Sequence, residues 1–228
     1  MTGRGGAPGS SPPAAARSLL RFDGVERAVH WANAALFAVL VLTGAALYFA
    51  PLTALVGRRV LVERVHVVAG LVLPVPVVLA LAGSWGRGLR RDLARLNHWS
   101  ADDRRWLRTV GAPAVRRRVT LRVGKFNAGQ KLNAAFTAGG GLVMLGTGCL
   151  LRWYRPFPLA WRSGATLVHN WLAAAFVVVI TGHVLLALSD TAALRSMLSG
   201  RVGRDWAGRH APEWLAELDG EPARRTGG

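Results

Sequence analysis

The chain has 228 residues, 51% of them apolar, a mean hydropathy of +0.27 and a formal net charge of +17. So apolar and yet so basic a composition argues against a soluble domain and fits a membrane protein whose cationic loops flank apolar spans. The single cysteine, Cys149, excludes an internal disulfide and a Cys-rich cluster, and without a C-x-x-C-H sequence covalent haem attachment is excluded too.

In chain order, residues 1–17 are rich in Gly, Pro, Ser and Ala and lack the apolar core of a signal peptide, so residues 1–20 are expected to form a disordered arm. Four stretches free of charged residues follow: Ala28–Gly57, Val65–Gly86, Leu132–Leu151 and Ser163–Ser189. Each reaches the ~20 residues that a spanning helix needs. They predict spans over about 28–50, 64–84, 129–151 and 164–188. Pro74 and Pro76 predict a kink in the second, because membrane helices tolerate proline better than soluble ones.

The loop over 87–126 is long. Within it "HWSADDRRWLRTV" predicts a short interfacial helix with Ser100 as N-cap and Asp103 three residues on, and with Trp99 and Trp106 at headgroup level. The Arg-rich "GAPAVRRRV" has no assignable role. In "GKFNAGQK", just before the third span, Asn127 is a fitting N-cap. The tail after the fourth span opens with a short amphipathic helix, and residues 216–228 are expected to be flexible. The fold class is therefore all-α, a four-helix membrane bundle over residues 21–215 with short interfacial helices.

Basic residues assign the topology, since Lys and Arg concentrate on the cytoplasmic side. Four precede the first span, thirteen lie between the second and third, and six follow the fourth, against three in each remaining loop. Both termini are thus expected in the cytoplasm. The same distribution accounts for the positive charge without nucleic acid as a partner.

Of six histidines, His98 and His210 lie in polar segments; His30, His66, His169 and His183 lie at or within spans. The topology puts His30 and His183 near the cytoplasmic face, and His66 and His169 near the outer face. Fourteen residues separate the two on the fourth span. That is roughly 21 Å of helix, with side chains within about 40° of one direction. One helix thereby presents two imidazoles to a shared interior, at two depths. Zinc wants three or four protein ligands, whereas a haem iron needs only two axial ones. The pairs read as axial ligands of two b haems, His30 with His183 and His66 with His169. Gly44, Gly70 and Gly182 would let a flat macrocycle approach. Each ligand's other ring nitrogen is expected on the carbonyl four residues back: Val62, Ala165 and Val179 for His66, His169 and His183. Arg64, Arg152 and Arg155 are candidate partners for outer propionates, and Arg27 and Lys131 for inner ones.

Taken together, "RFDGVERAVHWANAALF", "VERVHVVAGLVL", "GKFNAGQKLN", "LVHNWLAAAFVVVITGHVLLAL" and "MLSGRVGRDWAGRHAPEW", in this order, resemble the cytochrome b (gamma) subunit of membrane-bound formate dehydrogenases. The resemblance covers roughly residues 20–215. It implies two b haems on the same histidine pairs and a quinone site (menaquinone or ubiquinone) beside the inner haem, at Asn127, Gly129, Gln130 and His183. It further implies an iron–sulfur subunit and a molybdenum- or tungsten-pterin formate-oxidising subunit as partners, in the bacterial inner membrane. Electrons would pass from the outer side through both haems to quinone. Cytochrome b subunits of hydrogenases or thiosulfate reductases are the alternative within the class; a haem-free anchor or transporter is the alternative outside it.

Overall fold

The computed structural model describes residues 18–109 and 122–220. Most of the N-terminal arm, the "GAPAVRRRV" stretch and residues 221–228 lie outside these. The elements in order are β1 (Ser18–Leu20), α1 (Gly24–Tyr48), α2 (Ala50–Val56), α3 (Arg59–Val72), α4 (Val75–Ala82), α5 (Arg87–Asn97), α6 (Ala101–Thr109), α7 (Ala128–Arg152), α8 (Leu159–Ser189), α9 (Thr191–Ser199), β2 (Arg201–Gly203), α10 (Arg204–His210) and α11 (Pro212–Leu218). Four spans are long and apolar enough to cross a membrane: α1, α3 with α4, α7 and α8. The all-α membrane bundle read from the sequence is the fold.

Local chemistry sets the span ends. Asp23 caps α1 by accepting from the Glu26 N–H, while Glu26 reaches back to the Asp23 N–H, so the helix starts at Gly24, four residues before the charge-free stretch. Asn127 and Gln130 build the same reciprocal box at the start of α7. α8 begins after Pro158, five residues earlier than predicted, and runs for 31 residues. The second span breaks into α3 and α4 at Leu73–Pro74. Pro74 and Pro76 lack the N–H groups that would continue the ladder, so a kink follows.

α1 packs along α3, and α7 along α8; close backbone approach is greatest within these two hairpins and sparse between α8 and the first hairpin. Hardly any span residue is buried. The core in the usual sense sits outside the bundle, on the face that carries Ser18 and Gly220, the first and last described residues. There β1 pairs antiparallel with β2, Leu19 opposite Val202. Val202, Trp206, Ala207, Ala211 and Trp214 bury one another, with Leu19 against them. The strand claims Ser18–Leu20 from the expected arm, and α11 claims the first residues of the expected tail.

Buried ions fasten this terminal face to the bundle. Lys125 ion-pairs with Asp92 of α5 at 2.5 Å and lies 3.8 Å from Glu26 of α1. Lys131 bonds Asp103 at 2.7 Å and the His98 carbonyl at 2.8 Å. Asp103 also closes the capping box with Ser100 that starts α6. Arg21, buried, bonds Ser196 and lies 4.4 Å from the Trp206 ring centre. Its burial pushes the guanidinium down to about 10, against Asp190 and Asp92, so it stays charged at neutral pH.

Removing one partner of a buried pair strands the other's charge. Lys125→Met is expected to cost about 3–5 kcal/mol of stability, read as a lowered midpoint of thermal unfolding in detergent. Burial pushes the Asp103 and Asp190 carboxyls up, but hydrogen bonds outweigh it and hold both below their ordinary 3.8. From Lys131 and Ser100 come the bonds to Asp103, and from Ala193 and Trp206 those to Asp190. A depressed carboxyl stabilises fully above its unfolded value and loses that contribution as pH falls through the folded one. The share of the thermal midpoint that Asp103 and Asp190 contribute should therefore be lost only as pH falls below about 4, and Asp103→Asn or Asp190→Asn should remove that acid step.

Candidate functional site

The structure brings the four span histidines together in two pairs. His30 of α1 faces His183 of α8, ring centres 6.3 Å apart and planes at 57°. His66 of α3 faces His169 of α8, ring centres 6.4 Å apart and planes at 67°. α8 contributes one imidazole to each pair, and both partners come from the other hairpin. The first pair lies toward the terminal face and the second toward the opposite, far face. His183 is the most exposed of the four.

Two imidazoles bonded to one metal ion, with metal–nitrogen bonds of about 2.0–2.1 Å and nitrogens about 1.1 Å from each ring centre, set those centres about 6.2–6.4 Å apart. Both observed separations match. Among the described residues no group of three His, Cys, Asp or Glu side chains stands ready for a metal ion. Such a donor set fits a centre that brings its own equatorial ligands, as porphyrin does. Sparse backbone approach between the hairpins leaves room for one, and a Cβ at Gly182 would meet nothing within 4 Å. At Gly44 a Cβ would come to 3.4 Å from the His66 ring, and at Gly148 to 3.5 Å from that of His169.

Around the far pair the neighbours differ from those expected. His66 Nδ1 lies 2.9 Å from the Thr43 hydroxyl, and His169 Nδ1 lies 2.9 Å from that of Thr147. These hydroxyls, rather than the Val62 and Ala165 carbonyls, meet the second ring nitrogens. Each threonine lies on the neighbouring helix of the same hairpin as its histidine, and the Leu40 carbonyl of α1 also reaches His66. His183 has no side-chain hydrogen bond to Val179 among the described residues. Midway along α8, seven residues from each histidine, Phe176 is buried against Phe37 and Phe136, ring centres 5.4 and 4.9 Å away.

A family model described as prokaryotic cytochrome b561 matches residues 21–200. The chain belongs to that family. It is similar to the cytochrome b556(Fdn) subunit of the nitrate-inducible formate dehydrogenase of Escherichia coli K12, 24% identical over 221 residues that cover 92% of this chain and 95% of that one. The same subunit of Shigella flexneri matches equally. The cytochrome b556(fdo) subunit of another formate dehydrogenase of Escherichia coli K12 is 26% identical over 208 residues, covering 88% and 93%. The resemblance read from the sequence stands. As a member of the cytochrome b561 family with four apolar helices, the protein is a multi-pass electron-transfer cytochrome of the bacterial inner membrane, and the family implies b-type haem. The paired imidazoles fit that group by spacing and by donor number.

The loop before α7 is more committed to structure than its sequence suggests. Asn127 and Gln130 each spend their amide oxygen on the other's backbone N–H. Their NH₂ groups remain as donors. Gly129 has a packing reason: a Cβ there would lie 3.0 Å from the Trp106 ring. Trp106 thus rests on the first turn of α7. Beside this loop a cleft of about 540 Å³ is lined by Lys125, Phe126, Asp103 and Lys131, and by Arg95 and Glu217 from across it. Asn127, Gln130 and His183 are not on its wall. Of the expected propionate partners, Lys131 is held by Asp103, and Arg27 donates to the Leu198 carbonyl and to that of Asp23. Sequence reasoning missed Thr43, Thr147, Gly148 and Phe176. The available signal was the Thr-Gly dipeptide at 43–44 and 147–148, at one depth in two spans.

Emptying the Phe176 position opens a cavity between facing helices, with a typical cost of about 3–5 kcal/mol for Phe→Ala. Phe176→Ala is expected to lower the thermal midpoint of the purified protein accordingly. Gly140→Ala, whose Cβ would sit 3.1 Å from the Phe176 ring, should lower it less, by the ~1–3 kcal/mol of overpacking.

Proposed function

We propose that the protein binds two b haems, one between His30 and His183 and one between His66 and His169. In this reading it carries electrons from a partner at the outer face to quinone near the cytoplasmic face. The single observation that carries it is the pair of imidazole–imidazole separations, 6.3 and 6.4 Å, each of a size to hold one iron. The excess of Lys and Arg on the terminal face makes that face cytoplasmic by the positive-inside rule. The relatives are named as subunits of formate dehydrogenases. An iron–sulfur subunit and a molybdenum- or tungsten-pterin formate-oxidising subunit are accordingly the proposed partners.

Haem, when bound, supplies a one-electron couple, and an imidazole from each member of a pair would fill the positions that oxygen would otherwise take. The chain's own residues fix where these couples sit. α8 sets their depths through the fourteen-residue interval between His169 and His183. Phe176 fills the interval and excludes water. At the quinone site, Asn127 and Gln130 would hold a quinone oxygen through their free NH₂ groups, beside His183. A quinone takes two electrons and two protons to become quinol, and with both protons drawn from the cytoplasm each turnover separates two charges. Moving one charge against 100 mV stores about 2.3 kcal/mol, so a pair stores roughly twice that.

The pyridine haemochrome of the purified chain should report two haems b; fewer than one would end the cytochrome reading of these pairs. His66→Ala should remove the far-face haem and leave the other. Loss of the terminal-face haem with survival of the far one would overturn the pairing. Asn127→Ala should keep both haems and slow quinol formation by roughly 2–10-fold, the worth of one lost hydrogen bond. Unchanged quinol formation would remove Asn127 from the site.

A further inference from the structure

The two histidine pairs differ in their neighbours. At the far pair, each imidazole has a threonine on its second nitrogen. Thr43 Oγ1 donates its only hydrogen to the Val39 carbonyl at 2.6 Å, so at 2.9 Å from His66 Nδ1 the oxygen acts as acceptor. Thr147 repeats the arrangement, donating to the Val143 carbonyl at 2.8 Å and accepting from His169 Nδ1 at 2.9 Å. With the hydroxyl as acceptor, Nδ1 carries the ring hydrogen in both, which leaves Nε2 with a lone pair for a metal. A hydroxyl polarised by its own donation is also the better acceptor. Among the described residues, His30 and His183 have no such side-chain partner.

We propose that Thr43 and Thr147 are positioning residues that lower the reduction potential of the far-face haem below that of the terminal-face haem, and so give electron flow its inward direction. The inference rests on the two-haem reading above. A ring whose N–H is pulled toward an acceptor is a stronger donor through its other nitrogen, and stronger donation favours ferric over ferrous iron. With haem held at both pairs, Thr43 and Thr147 would make the far-face couple the stronger reductant, so that one electron given up there would reduce the terminal-face couple, one for one, down the potential gradient. The chain needs that gradient, because the same transfer runs against a membrane potential that is negative inside.

Redox titration of the detergent-purified, haem-loaded chain, followed in the visible bands, tests this; His66→Ala identifies the far-face spectrum. In the wild type the far-face haem should have the lower midpoint of the two. Thr43→Val and Thr147→Val should each shift the far-face reduction equilibrium toward ferrous by about fivefold, roughly 40 mV at 59 mV per decade, and leave the terminal-face midpoint in place. Thr43→Ser and Thr147→Ser should stay near wild type. Equal movement of both midpoints, no movement with haem bound, or serine variants that shift as far as valine ones would overturn the proposal. Should the valine variants lose the far-face haem, the wild-type order decides: a higher far-face midpoint overturns it. Haem stoichiometry of the wild type is read separately, so failure of the two-haem reading appears as a count and failure of this inference as a potential.

Discussion

A single helix, α8, holds one imidazole of each pair, and each meets a partner from the other hairpin, ring centres 6.3 and 6.4 Å apart. That double pairing runs through the bundle. The hairpins pack tightly within themselves, α1 on α3 and α7 on α8, and approach each other less closely, with Phe37 against Phe176 between them. In a soluble protein so loose a seam would tighten, since burying apolar surface there is worth about 25 cal/mol per Å². In lipid the side chains gain little by closing it, because hydrocarbon surrounds them either way. The four histidines mark that seam at two depths.

The terminal face works by the opposite rule. Water is available there, and the chain nevertheless buries Lys125, Lys131, Asp92, Asp103 and Arg21. Buried ion pairs are poor stabilisers but strict about geometry. Here they fix the loop that starts α7 against α5 and α6, while the β1–β2 pair and the Trp206–Trp214 core tie the two ends of the chain together. Asn127 and Gln130 are held by the same scaffold, through a capping box that leaves only their amide NH₂ groups to spare.

Spans were legible because a charge-free run of membrane length rarely arises outside a bilayer, and the prolines of the second span announced its break. Span ends were less so: Asp23 with Glu26 carried α1 four residues past the apolar stretch, and nothing in hydropathy marks a capping box. Histidine depth could be read from topology alone, since alternation of spans fixes which end of a helix lies where. The ring-to-hydroxyl bonds could not. Thr43 and Thr147 are far from their histidines in sequence, and only the register of one helix against the next aligns them. Likewise the Trp206 core joins residues from both chain ends, and periodicity within any one segment does not reveal such a contact. The roles of Asn127, Gly129 and Gln130 came from resemblance, and the structure adds for Gly129 a packing reason that the sequence concealed.

Phe176, with Phe37 and Phe136 around it, has one more effect. Electrons tunnel through hydrocarbon over such distances, whereas protons hop only between groups that can accept and donate them. Three phenyl rings at mid-membrane offer no such group. On the two-haem reading proposed above, they would insulate one carrier from the other, so that charge driven across the bundle would not leak back as hydrogen ions along the same route.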